Sequence, residues 1–102
     1  MAKKTLDVLT ESMFYILMAL RRENMCGTDI AAYVENKTQG RLKIGPATLY
    51  TILGKFEQEK IVRETEVFGR KRTYEITIKG KDLYERELQR LRLCIIDAES
   101  EI

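Results

Sequence analysis

Histidine and tryptophan are absent from this chain of 102 residues, and proline occurs only once. The absence of histidine removes the commonest general acid or base and the commonest metal ligand of proteins. The sequence also contains no recognisable pair of catalytic carboxylates and no glycine-rich phosphate loop. We therefore expect no enzymatic activity, no cofactor and no metal site.

Long apolar runs are missing as well. No segment is apolar enough to cross a bilayer, and none has the pattern of a signal peptide. We expect a cytoplasmic protein without a membrane partner. The two cysteines, Cys26 and Cys94, do not have the spacing of metal ligands. Both are expected to be thiols that behave as small buried hydrophobic residues.

The charge balance carries little information, because 18 basic and 16 acidic side chains leave a net charge of only +2. The positions of the basic residues are more informative than their total. The apolar content of 44% suits a single compact domain.

The segment from Leu9 to Leu20 has the apolar periodicity of a helix. Thr10 or Ser12 is positioned to cap its start. Phe14 and Met18 lie off the main apolar stripe, roughly 100–140° around the helix. A helix with two apolar faces usually contacts two neighbours, so these residues indicate a partner surface. The alternative is one wide core face.

Two more helices are predicted after this one. The residues Asn24–Gly27 interrupt the first pattern, and Thr28 or Asp29 can cap a short second helix. A third helix begins at Pro46, since proline is well tolerated in a first helical turn. Its predicted core face consists of Leu49, Ile52, Leu53 and Phe56. Its opposite face carries small or hydrogen-bonding residues, namely Ala47, Thr48, Tyr50, Thr51, Gly54, Lys55 and Gln58.

The rest of the chain predicts a β-hairpin and a final helix. Ile61–Val67 and Thr73–Ile78 have the composition of strands. The residues between them, Phe68–Arg72, form a glycine turn with three consecutive cations. From about Lys81 the pattern is helical again. An apolar stripe with the spacing of a coiled-coil seam follows, made of Tyr84, Leu88, Leu91 and Ile95.

This order of elements is that of a winged helix-turn-helix, in which the third helix enters the DNA major groove. The expected fold class is therefore mainly α with a small β-hairpin. Residues 1–79 are expected to form the winged helix-turn-helix domain, and residues 80–102 a C-terminal dimerisation helix. The predicted dimer interface consists of Phe14, Met18, Tyr84, Leu88, Leu91 and Ile95.

An uncharged helix face suits base edges, while the hairpin cations suit phosphates. The residues expected to contact DNA are Lys43, Pro46, Ala47, Thr48, Tyr50, Thr51, Lys55, Arg70, Lys71 and Arg72. Gly54 is costly in a helix interior, by about 1 kcal/mol relative to alanine. Its presence indicates either a close approach to DNA or a tight contact within the protein.

Several of these segments resemble the PadR family of transcriptional regulators. Gly45–Tyr50 followed by Leu53–Glu57 is similar to the family's recognition helix. Gly27–Ile30 looks like its second-helix start, and Arg72–Thr77 with Gly80 looks like its wing. The chain departs from the family pattern at Thr28, where an aromatic residue is common, and at Thr51, where proline is common.

The resemblance implies membership of the short PadR subgroup, whose members include repressors of multidrug-efflux genes. Some of them bind planar hydrophobic compounds between their subunits. By position, Phe14, Met18 and Leu91 are implied to line such an effector site.

The predicted function is a homodimeric, sequence-specific DNA-binding repressor of a palindromic operator, released by a small hydrophobic ligand. The alternative is a winged-helix module that binds protein instead of DNA. A protein-binding helix face should carry exposed aromatic residues or leucines, and on this face only Tyr50 is large.

Overall fold

A computed structural model of the chain describes residues 9–101. Four helices and a small antiparallel sheet make up this part, which confirms the predicted fold class. In chain order the elements are α1 (Glu11–Arg22), β1 (Met25–Cys26), α2 (Gly27–Lys37), α3 (Pro46–Gln58), β2 (Val62–Phe68), β3 (Lys71–Ile76) and α4 (Ile78–Glu99). None of the helices within residues 9–101 is long and apolar enough to cross a membrane.

The first three helices form as their apolar periodicity predicts. Thr10 caps α1 by accepting a hydrogen bond from the Met13 backbone N–H at 3.2 Å. Pro46 begins α3, where its missing N–H is harmless. The core shared by the helices and the sheet includes the predicted α3 face of Leu49, Ile52, Leu53 and Phe56, all buried.

The short second helix begins differently from the prediction. We expected Thr28 or Asp29 to cap it, but α2 starts at Gly27 with Cys26 at the cap position and no capping hydrogen bond from a side chain. The reason is that Met25 and Cys26 form a strand, β1, which leads directly into the helix. Cys26 is buried as expected, whereas Cys94 is exposed, so the prediction for Cys94 is wrong within this protomer.

The sheet has one strand more than the predicted hairpin. Its order is β1-β3-β2, with Met25 opposite Tyr74 and Cys26 opposite Thr73. Strands β2 and β3 form the hairpin that we call the wing, residues 62–76, and it reverses at Gly69 with a φ of +59°. A β-bulge lies between Glu64 and Glu66.

The start of α4 corrects the predicted boundary between hairpin and helix. Ile78 was expected to end a strand, but it opens α4 and is 82% exposed. Strand β3 ends at Ile76, directly before Thr77. The Thr77 side chain accepts a hydrogen bond from the Gly80 N–H at 3.1 Å and thereby caps α4. Gly80 lies inside the helix, against Ile76 and the Ile61 carbonyl, where a Cβ would clash.

The two halves of α4 have different surroundings. Leu83 and Tyr84 are buried in the common core, so the first turns of the helix pack on the domain itself. From residue 92 to residue 101 every residue is exposed. The helix begins at Ile78, before the predicted boundary at residue 80. Its second half, which carries the exposed apolar residues Leu93, Ile95 and Ile96, extends away from the core. The outer limits of the two predicted ranges, residues 1–8 and residue 102, lie outside the described residues.

Candidate nucleic-acid interface

One face of α3 is exposed along its whole length. Its members are the predicted contact residues Pro46, Ala47, Thr48, Tyr50, Thr51 and Lys55, together with Gly54 and Gln58. They face solvent because the four apolar residues of the opposite face are held in the core. The exposed surface is built from methyl, hydroxyl and amide groups with a single cation. Such a surface can approach base edges closely and form hydrogen bonds with them.

Gly54 lies in the middle of this surface. A Cβ placed on it would meet nothing within 4 Å among the described residues. A tight contact within the protein therefore does not account for this glycine, and that alternative is wrong within this protomer.

Tyr50 has a role that the sequence does not reveal. It is 47% exposed, yet its ring lies directly over Gly27, where an added Cβ would come within 2.7 Å of the Cζ atom. The tyrosine thus anchors α3 against the first turn of α2. No local pattern indicates this contact, because the two residues are far apart in the chain and meet only after the helices pack.

The wing carries cations at its tip. Arg70, Lys71 and Arg72 are all exposed. Arg72 lies 3.4 Å from Glu64, whereas Arg70 and Lys71 form no ion pair with any residue between 9 and 101. These two charges are therefore available to an anionic partner, for which DNA phosphates are suited.

Lys43 precedes α3 and is also exposed. Its ammonium lies 4.0 Å from Glu35, with 70% of the lysine side chain exposed. An ion pair of this length in water is weak, so it leaves the lysine able to move to a phosphate. The predicted DNA residues thus occupy the loop before α3, one face of α3 and the wing.

The residues predicted to form the dimer interface divide into two groups. Phe14 and Tyr84 stack within one protomer, with ring centroids 4.9 Å apart, and burial raises the pKa of Tyr84. Met18 and Leu88 are partly buried against the same core. Ile95 is 57% exposed, and its neighbours Leu93 and Ile96 are exposed to a similar degree.

A cavity of about 350 Å³ lies between α1 and α4. Phe14 and Leu91 line it, as the resemblance implied, but Met18 is not among its lining residues. Part of the lining is polar: Glu87, which also lines the cavity, is only 2% exposed and receives two hydrogen bonds from Arg90, at 2.6 and 2.9 Å. These hydrogen bonds lower the pKa of Glu87.

Comparison with known proteins decides the family. The model of the transcriptional regulator PadR-like family matches residues 16–86, from the middle of α1 to the first part of α4. This chain belongs to the PadR-like family. The family is one of transcriptional regulators.

Solved structures of two transcriptional regulators share the fold. A transcriptional regulator from Clostridium thermocellum superposes with a TM-score of 0.77 at 22% identity, covering 86% of this chain and 89% of its own. A PadR family transcription regulator from Clostridium difficile R20291 has the same TM-score at 19% identity, with coverages of 89% and 97%.

A curated relative has a different overall size. It is an uncharacterised 37.1 kDa protein in transposon TN4556 of Streptomyces fradiae, 35% identical over 77 residues. These residues make up 76% of this chain, and they correspond to 22% of the relative. The PadR-like chain thus spans about a fifth of the length of that protein.

Proposed function

We propose that this PadR-like chain is a dimeric repressor that reads a palindromic operator with α3 and holds the DNA backbone with Lys43 and the wing. The observation that carries the proposal is the pairing of an exposed, largely uncharged helix face with the unpaired cations Arg70 and Lys71. The helix face provides sequence discrimination, and the cations provide affinity that depends on salt.

The contribution of the wing is tested by replacing Arg70, Lys71 and Arg72 with alanine. We expect weaker binding to every duplex and a salt slope that is lower by roughly 0.9 for each phosphate that is no longer neutralised. The measurement is the dissociation constant for a duplex over a range of salt concentrations. A matched control replaces Lys81, Arg86 and Arg92, which are exposed on α4, and removes the same charge. Equal effects of the two triple variants would contradict the role of the wing.

The contribution of α3 is tested at Thr48 and Thr51. Alanine at either position removes a hydroxyl from an exposed surface, so the fold should be retained. We expect the order of preference among DNA sequences to change, since base-edge contacts carry specificity. Selection from a random duplex library reads this out directly. An unchanged preferred sequence in both variants would show that α3 does not read bases through these hydroxyls.

We further propose that the cavity between α1 and α4 admits an apolar small molecule that controls DNA binding. Its support is the aromatic and aliphatic lining by Phe14, Tyr15 and Leu91 beside the half of α4 that is free to pair. A thermal-shift screen with planar dyes tests it, because a ligand at 100 times its Kd stabilises a protein by about 2.7 kcal/mol. Leu91→Ala should reduce the shift for any dye that binds. Absence of a shift across the panel would contradict an effector of this class.

A further inference from the structure

The tip of the wing exposes an aromatic side chain that the core does not use. Phe68 is 69% exposed and the adjacent Val67 is 52% exposed. All residues from 65 to 72 are exposed, so this part of the hairpin stands clear of the domain. Phe68 is the last residue of β2, and Gly69 reverses the chain immediately after it. The turn therefore presents the phenyl ring at the outer end of the wing.

The surroundings of Phe68 define the chemistry of its partner. Lys71 is directly opposite Phe68 in the hairpin, and Arg70 and Arg72 flank Lys71. Between Val67 and Arg72 the sequence contains three cations and no acid, and the nearest acid, Glu66, lies one residue further from the tip. A matching surface must combine apolar faces with closely spaced negative charges. The minor groove of DNA does so, because sugars and base edges lie between two rows of phosphates.

We propose that Phe68 is an apolar wedge that the wing places in the minor groove, against the deoxyriboses and partly between two stacked base pairs. This inference rests on the proposed DNA-binding function and adds a means of recognition that α3 does not supply. Pyrimidine–purine steps such as TA unstack more easily than other steps. The wedge therefore favours sites with such a step beneath the wing, so that Phe68 reads the deformability of the DNA.

The test compares two duplexes of equal length and base composition, one with TA steps and one with the same bases arranged as A-tracts. The wild-type protein is expected to bind the TA duplex more tightly and to raise the fluorescence of 2-aminopurine placed at a TA step, because unstacking relieves its quenching. Phe68→Ala is expected to weaken binding to the TA duplex by about tenfold. It should also abolish the fluorescence increase and the preference between the two duplexes.

Two control variants separate the wedge from charge and from general hydrophobicity. Arg70→Ala should lower the salt slope by roughly 0.9, whereas Phe68→Ala should leave it unchanged because it removes no charge. Ile78→Ala removes an aliphatic side chain that is 82% exposed outside the wing, and it should bind DNA like the wild type. All three residues are exposed, so the variants are expected to fold.

The outcomes distinguish the wedge from the proposed function. If the wild type binds DNA but Phe68→Ala retains the affinity, the TA preference and the fluorescence increase, the wedge is overturned and DNA binding stands. A wild-type protein that binds without any fluorescence increase overturns the wedge in the same way. If the wild type binds neither duplex, the DNA-binding proposal fails first and the wedge falls with it.

Discussion

At the scale of single residues, the structure gives structural roles to two side chains, Glu87 and Tyr50. Neither role is evident from the sequence. Glu87 is buried on the face of α4 that packs against α1, and it is neutralised by a bidentate pair with Arg90. Tyr50 belongs to the helix that we propose reads DNA, but it also rests on Gly27. The partner of Glu87 lies three residues along the same helix, whereas Tyr50 meets Gly27 only because α2 and α3 pack together.

Glu87 should make the stability of the protein depend on pH. Its pKa is lowered in the folded protein, mainly by hydrogen bonds from Arg90. The ionised carboxylate therefore contributes stability above its ordinary pKa, and that contribution is lost as the pH falls through the lowered value. We expect Glu87→Gln to have a lower free energy of unfolding near neutral pH and a flatter decline in acid. Urea denaturation between about pH 6 and pH 3 measures both.

The matched control for this prediction is Glu99→Gln, an exposed carboxylate on the same helix. It should keep the pH dependence of the wild type. A Glu87→Gln profile parallel to that of the wild type would show that the pair with Arg90 does not contribute to acid stability.

At the scale of elements, α3 has two opposed requirements. One face holds the core together through residues such as Leu53 and Phe56, both fully buried. The other face must stay small if DNA is to come close, as we propose. Gly54 meets the second requirement at the expense of helix stability, since nothing in the described chain occupies the space beside it. Local stability and the proposed DNA binding therefore favour different residues at this position.

Gly54→Ala separates the two requirements. The added methyl group has open space around it, so we expect the free energy of unfolding to rise by about 1 kcal/mol. DNA binding should weaken by roughly tenfold if the helix backbone approaches the bases here, which is a loss of about 1.4 kcal/mol. Thermal denaturation and duplex binding are measured on the same preparation. A variant that is more stable and binds DNA as tightly as the wild type would show that DNA does not approach Gly54 closely.

At the scale of the whole molecule, the second half of α4 determines the assembly that we propose. The predicted interface residues Phe14, Tyr84 and Leu88 already pack within the protomer. Ile95 and its exposed apolar neighbours have no partner in the described chain. A second copy can cover them, and a two-fold dimer places two recognition helices about 34 Å apart on one face of the duplex.

The dimer is tested with Ile95→Asp. Ile95 is 57% exposed in the protomer, so the substitution should leave the fold intact while placing a charge in the proposed interface, at a cost of several kcal/mol. Sedimentation should report twice the chain mass of 11.9 kDa for the wild type and the single mass for the variant. Gln89→Asp adds the same charge at another exposed position of α4 and should remain dimeric. A wild-type chain that is monomeric at micromolar concentration, yet binds a palindromic site tightly, would contradict the dimer.

The sequence alone was sufficient for those features that depend on local periodicity and on single residues with strong conformational preferences. The core face of α3 follows from apolar residues three and four apart, and Pro46 marks its start. Thr10 caps α1 from its own first turn. The wing and its cations follow from β-branched segments around one glycine turn. Together these features predicted the order of elements, and therefore the winged-helix fold.

Only the tertiary structure decided the features that depend on residues distant in the chain. Strand β1 has two residues and exists because β3 supplies its hydrogen-bond partners. Gly80 is typical of a helix break in the sequence, but it lies within α4, where its missing Cβ lets the helix pack against the Ile61 carbonyl. Tyr84 continues the stripe of Ile95, yet it is buried within the protomer while Ile95 is exposed, because α1 covers only the first half of α4. Periodicity shows which face of a helix is apolar, whereas the length of the neighbouring helix determines how much of that face remains for a partner.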